Sequence, residues 1–397
     1  MKTLKHMITL IFLLNIFYAL FAGSVDYLTN QSVPFLRTLS RGAATDETDI
    51  IVYNPAGTTL MKDGLYLSFN WQGFTKDYAI KDLDTGKEYQ SSYPSPFIPS
   101  AFALLKENNI AFFMAFTIPA GGGTLEYNDG LYMTQDLRDA YFKGTSLYYG
   151  YTVGFAYQID NTLSFSAAMR KIESKKEYKG HGIMPLPQGD VLAKIDSEKT
   201  SSTSRSGIFG INLNFDEMNI GIKYETQATL KYKTKSKAND LQLPQFQDNL
   251  VEYRDLPAQL SIALSNKFTE DLTLNIGIIY FYLDKAAQNN PAYQEYENGE
   301  ELQIGGEYKL NDKWLVSAGY NYVTVGGNKN TYTDFEYQLD SHFVGGGFRY
   351  TPTEKMHINF ALAKPFYKTS KGAGDFARAE YSKEVNIVGV SVEYKIF

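Results

Sequence analysis

Leu272-Thr273-Leu274-Asn275-Ile276-Gly277-Ile278-Ile279-Tyr280-Phe281-Tyr282 decides the fold of this 397-residue chain. Apolar or aromatic side chains hold every even position, while Thr273, Asn275 and Gly277 stand between them. A period of two belongs to a strand whose faces meet different surroundings, whereas a helix repeats about every 3.6 residues. The same pattern runs through Leu65, Leu67, Phe69 and Trp71, set against Tyr66, Ser68, Asn70 and Gln72. It returns in Trp314, Val316, Ala318, Tyr320 and Tyr322, set against Ser317, Gly319 and Asn321.

Fourteen such segments begin near Gly64, Pro99, Asn109, Ser146, Thr162, Ser204, Met218, Leu256, Leu272, Glu300, Trp314, Ser341, Met356 and Glu384. Six of their connections are tight and polar: Lys106–Asn109, Asp160–Asn161, Asp216–Glu217, Thr269–Asp271, Asn311–Lys313 and Pro352–Lys355. The others are long, roughly 15 to 30 residues, which is unusual for hairpin loops. Short and long alternate along the chain. A soluble sandwich or propeller gives no reason for that alternation, although a lectin-like fold accommodates the strands themselves. A transmembrane barrel has short turns at one rim, long loops at the other and an even strand number. In lipid every backbone polar group must be paired within the protein, so the sheet has to close. The expected fold is therefore an all-β, 14-stranded antiparallel transmembrane barrel, its apolar face outward. Trp71, Tyr157, Tyr282, Trp314, Tyr322 and Tyr394, near segment ends, suit the interfaces.

Composition narrows the chemistry. There are 31 Tyr, 26 Phe and 2 Trp, but no Cys and only 4 His. That excludes disulfides, thiolate metal sites and a cysteine nucleophile, and leaves little room for zinc. A net charge of −6 and a pI near 5.4 argue against nucleic acid as a partner. No Gly-x-Ser-x-Gly elbow, Walker loop or Gly-rich dinucleotide turn occurs, so neither an enzyme nor a cofactor is expected. His342, His357 and Ser341 are what an enzyme reading would have to use.

Lys2 and Lys5 precede an apolar run from Met7 to Phe21, followed by Ala22, Gly23 and Ser24. This reads as a signal peptide over residues 1–23 and places the chain outside the cytoplasm. Residues 24–63 lack alternation, yet Pro34, Phe35, Leu36, Leu39, Ile50, Ile51 and Val52 are too apolar for a solvated tail. They are expected to form a plug inside a barrel made of residues 64–397.

Arg41-Gly42-Ala43-Ala44 through Asp49, then Tyr53-Asn54-Pro55-Ala56-Gly57, resembles the hatch of the FadL/TodX-type outer-membrane transporters of long-chain fatty acids and other hydrophobic compounds. Asn54, Pro55, Ala56 and Gly57 form the tetrad that carries the likeness. Leu256-Pro257-Ala258-Gln259-Leu260, Leu310-Asn311-Asp312-Lys313-Trp314 and Gly345-Gly346-Gly347-Phe348-Arg349-Tyr350 look familial too. The resemblance implies passive uptake of hydrophobic compounds through a plugged monomeric barrel in the bacterial outer membrane. Its partners would be fatty acids or similar molecules and the membrane lipids. The family's third strand is kinked to open the wall. Here Ile110 to Thr117 holds no Gly or Pro, so a kink would begin at Ile118-Pro119-Ala120-Gly121. Asn54 and Pro55 are expected to form a turn that sets the plug against the first strand.

Arg170, Lys223, Glu225, Arg349 and Glu393 fall on the inward face, where they either pair across the lumen or meet a ligand. A guanidinium suits a carboxylate because its fork bonds both oxygens, so Arg170 or Arg349 is the candidate anchor. Phe35, Leu36, Leu39 and inward Phe113 are candidate apolar walls. An open porin, and a surface adhesin working through Glu173–Thr203 and Lys231–Asp255, are the competing functions.

Overall fold

The computed structural model describes residues 32–286, 295–334 and 336–397. The expected signal peptide, and residues 24–31 of the expected plug, lie outside the described residues. No described helix is long and apolar enough to cross a membrane. The chain crosses with strands instead.

Among the described residues, twenty strand segments form one antiparallel sheet. Fourteen close the barrel. These are β1 (Gly64–Asp82), β2 (Ser95–Glu107), β3 (Ile110–Thr117), β4 (Arg138–Gln158), β5 (Leu163–Met184), β6 (Ser204–Phe215) and β7 (Met218–Glu225). β8 (Ala258–Lys267), β9 (Leu272–Tyr282), β10 (Gly299–Lys309), β11 (Trp314–Thr324), β12 (Ser341–Thr353), β13 (Met356–Tyr367) and β14 (Ala379–Lys395) complete it. Closure is direct: β14 pairs with β1 from Tyr66↔Lys395 to Asp82↔Ala379. The tight turns lie at the rim where β1 begins and β14 ends.

Side-chain parity follows the sequence pattern. On β3, Met114 is 59% exposed and its neighbour Phe113 only 2%. Exposed Phe69, Val153, Ile304 and Leu362 make the outer surface apolar, whereas inward Asn212, Asn321 and Asn359 are buried. An apolar exterior around a polar interior inverts a soluble protein and fits hydrocarbon outside. Tyr157, Trp314 and Tyr394 are exposed near the tight-turn rim.

Two expectations about loops are corrected. Glu173–Thr203 and Lys231–Asp255 are largely sheet rather than open loops. β5 runs on to Met184, pairs with Val191–Ser201, and that segment pairs with Lys231–Asn239. The wall therefore rises beyond the apolar belt on this side. Lys175 bridges Glu177 at 2.7 Å and Glu198 at 3.2 Å there, so charges occupy the outer face. Apolar alternation marks only the part of a strand that meets lipid. For the same reason β2, β4 and β14 start earlier than expected, at Ser95, Arg138 and Ala379.

Among the described residues, the wall is interrupted near its third strand. β2 pairs with β3 from Glu107↔Ile110 to Ala101↔Phe116, and β3 ends one residue later, at Thr117. The chain leaves β2 at Ile118–Gly122, keeping one bond to β4 from Tyr148 N to the Ala120 carbonyl at 3.3 Å, and continues as Gly123–Tyr127, paired with β4. Among the described residues, the ladder partners of Ser95, Ile98 and Pro99 lie on β1. Pro96 and Pro99 fall in this stretch, where a missing N–H spoils no bond on the free side.

Candidate functional site

Residues 32–61 cross the lumen and form its floor. Helix α1 (Val33–Thr38) starts at Ser32, whose hydroxyl accepts from Phe35 N at 3.0 Å. α2 (Ile50–Tyr53) and a 3₁₀ turn (Pro55–Leu60) follow. The α1 end docks where three cross-strand partners, Gly305, Gly319 and Gly345, bare the wall. A Cβ at Gly305 or Gly319 would collide with the Thr38 carbonyl oxygen. The expected turn at Asn54 and Pro55 exists but does not sit against the first strand. Asn54 Nδ2 donates to the Ile211 carbonyl at 3.2 Å, and Thr59 donates to Ser164 at 2.7 Å. The tetrad thus docks on β6, where Asn54 also reaches inward Asn212, and Thr59 after it docks on β5 at inward Ser164.

Buried charge ties the floor to the opposite wall. Arg37 donates to Glu47 at 3.0 Å, to Glu307 on β10 at 2.5 Å and to Asn359 on β13 at 2.9 Å. Arg349 on β12 reaches Asp46 at 2.6 Å, and Arg41 reaches Asp49 at 2.7 Å. Thr48 N donates to Glu393 on β14 at 2.7 Å. Burial opposes ionisation of Asp46 and Glu47, but Arg41, Arg349 and Arg37 outweigh it for Asp46, and Arg349 and Arg37 for Glu47, holding both carboxyls below the usual range. Their stabilisation is present above the unfolded carboxylate pKa and is lost only as pH falls through the depressed values.

Above this floor lies a cavity of about 210 Å³. Phe35 and Tyr53 of the floor, with Phe74, Ile98, Ile172 and Phe343 of the wall, give it apolar surface. Arg170, Lys223 and Glu225 give it charge. Glu225 meets Arg170 at 2.9 Å and accepts from Ser206 and Gln259, each at 3.0 Å. Lys223 donates to the Val52 carbonyl at 2.9 Å. Arg170 Nη2 is buried without a hydrogen-bond partner among the described residues. The cavity extends to the interrupted ladder, where Ser95, Pro119 and Gly121–Gly123 line it.

An outer cavity of about 120 Å³ shares Tyr78, Gly122 and Gly123 with the inner one. Tyr127, Phe142 and Tyr178 line it, with Lys176 and Lys383. Residues 325–334 and 336–340, joining β11 to β12, fold over it, and Tyr332, Tyr337 and Leu339 pack against Tyr89, Leu131 and Tyr381. Asp334 is buried here, and its carboxyl accepts from Met133 N at 2.6 Å. Burial pushes its pKa up to about 7. A pKa raised in the folded state contributes stability below the unfolded value and loses it as pH rises through the folded one. Hydrogen exchange in 325–340, corrected for intrinsic rates, should therefore quicken several-fold between pH 5 and pH 8. Asp334→Asn should flatten that rise; an equal rise in both proteins would refute it.

The structure brings only part of the expected ligand set together. Arg170 and Phe35 line the inner cavity. Arg349 does not: it is committed to Asp46 and Glu47, at 2.6 and 3.5 Å. Phe113 packs with Ile50, Ile51 and Val52 between floor and wall, and Leu36 and Leu39 pack with Ala361 and Ile387. These three hold the floor in place rather than face the cavity. Lys76 and the rings of Phe74 and Tyr78 line the cavity without having been singled out as ligand residues. Inward parity marks them as facing the lumen, but only the position of the floor separates those above it from those pressed against it.

Comparison with known proteins agrees with this arrangement. The chain resembles the crystal structure of a Pseudomonas aeruginosa FadL homologue at 15% identity, covering 95% of this chain and 100% of that one, with a TM-score of 0.73. The Ralstonia pickettii toluene transporter TbuX is 15% identical over 94% of this chain and 100% of that one, with a TM-score of 0.68. The Pseudomonas putida toluene transporter TodX is 16% identical over 94% of this chain and 99% of that one, with a TM-score of 0.67. No curated protein sequence matches the chain. Residues 30–396 match the family described as outer membrane protein transport protein (OMPP1/FadL/TodX). The chain belongs to that family, as an outer-membrane β-barrel channel for hydrophobic compounds.

Proposed function

We propose that the cargo is a long-chain fatty acid, which diffuses passively from the outer cavity to the inner one. It then leaves sideways between β2 and β3, where the ladder is interrupted. The observation that carries this reading is the unused Nη2 donor of Arg170, buried in the wall of a cavity lined by both apolar and charged groups. A neutral hydrocarbon has no use for such a group, whereas a carboxylate accepts from it. Apolar cavities with one or two polar anchors are the usual small-ligand design. An open porin is disfavoured by the floor that residues 32–61 build across the lumen. Working as a monomer, the barrel needs only lipid around its apolar belt to receive the acid.

Hexadecanoate and hexadecanol, equal in chain length, test the reading. The wild type should prefer the acid. Arg170→Gln should weaken the acid about tenfold, in line with a hydrogen bond to a charged group, and spare the alcohol. Equal affinity of the wild type for acid and alcohol would move the cargo to neutral hydrocarbons.

A further inference from the structure

Lys76 stands on the inward face of β1 and is 5% exposed. Its ammonium donates to the Gly122 carbonyl at 2.6 Å and the Thr124 carbonyl at 2.8 Å. Both carbonyls flank the point where the third strand rejoins the ladder, so Lys76 supplies donors that a neighbouring strand would otherwise give. An ammonium carries three protons, and these bonds use two. Among the described residues no carboxylate pairs with it, and the charge it feels most is another cation, Lys383. A neutral amide could satisfy two carbonyls without bringing a charge inside. A buried cation without a counter-charge is expensive and calls for an anion.

The other cations of the cavity are better provided for. Arg170 has Glu225 at 2.9 Å, and Lys223 has the same carboxylate at 3.9 Å together with the Val52 carbonyl. Lys76 also lines the inner cavity beside Phe74, Ser95 and Ile98, at the interruption itself.

We propose that Lys76 is the principal headgroup anchor, binding the carboxylate of an amphipathic acid through its third proton at the gap between β2 and β3. The inference rests on the reading of the cargo as a long-chain acid and names the residue that recognises it. Arg170 becomes the secondary contact, since Glu225 already answers its charge.

The full chain in detergent, with hexadecanoate and hexadecanol as probes, provides the test. Lys76→Gln keeps an amide donor for the two carbonyls but removes the charge. It should weaken hexadecanoate about a hundredfold and leave hexadecanol within about threefold. Lys76→Arg should recover most of the acid affinity. Undiminished acid binding in Lys76→Gln, with acid preference lost only in Arg170→Gln, would overturn the Lys76 assignment and leave the cargo reading intact. Equal losses for acid and alcohol would make Lys76 a prop for the interrupted strand and overturn the assignment as well. A wild type that does not distinguish acid from alcohol would remove the cargo reading itself, and the anchor with it.

Discussion

Shortening the ligand from hexadecanoate to octanoate should weaken binding by more than a hundredfold. Each methylene taken from water contributes about 0.8 kcal/mol, so eight of them are worth roughly 6 kcal/mol at full burial. Part of the chain faces polar groups such as Glu225 and Glu301, which also line the cavity. Even half of the full value, about 3 kcal/mol, corresponds to two orders of magnitude. The headgroup is the same in both acids, so the slope reports the apolar wall alone. Binding measured across the even-numbered acids should steepen with length until the path is filled. A flat series would mean that Phe35, Phe74 and Ile98 do not hold an acyl chain, and would favour the porin or adhesin reading.

Deleting residues 25–60 should turn a nearly sealed barrel into a water-filled pore. Eight strands leave an interior that side chains fill, and sixteen leave an aqueous channel, so fourteen need a further element to block the lumen. Here that element is the segment from Ser32 to Met61, held by Arg37, Arg349 and Glu393. Without it, the wall charges Glu307, Arg349 and Glu393 would face water rather than buried partners, and the paired strands would remain. The shortened protein should still migrate as a heat-modifiable barrel, and its conductance in planar bilayers should rise at least tenfold. Conductance at the intact level would show that the floor does not block the lumen. Loss of the folded barrel would show instead that the strands depend on their filling.

Much of this architecture was readable in the residues. The two-residue period of Leu272–Tyr282 and its counterparts marked the strands, and the polar turns marked the rim. The boundaries drifted where strands pass beyond lipid. At Lys175, Glu177 and Glu198 the outer face carries charges instead of apolar groups, so no apolar alternation announces the sheet. The tetrad Asn54-Pro55-Ala56-Gly57 announced a plug, but the partners of Asn54 and Thr59 on the wall, Asn212 and Ser164, carry no sign of that role.

Parity told which side chains point inward, and nothing further. Arg170 and Arg349 looked equivalent by that rule, and so did Phe35 and Leu36. What separates them is height relative to the floor: Arg349 lies level with Asp46 and pairs with it, while Arg170 stands above and faces the cavity. Lys76 is likewise one inward lysine among several until Gly122 and Thr124 are brought to it across the break. Strand period, export and barrel closure follow from the sequence itself, because they depend on local alternation and on the requirement to pair every backbone group in lipid. Which cation is satisfied and which is left with a free donor was decided only by the tertiary structure, because ion pairing depends on residues as distant as Asp46 and Arg349 meeting within hydrogen-bond reach.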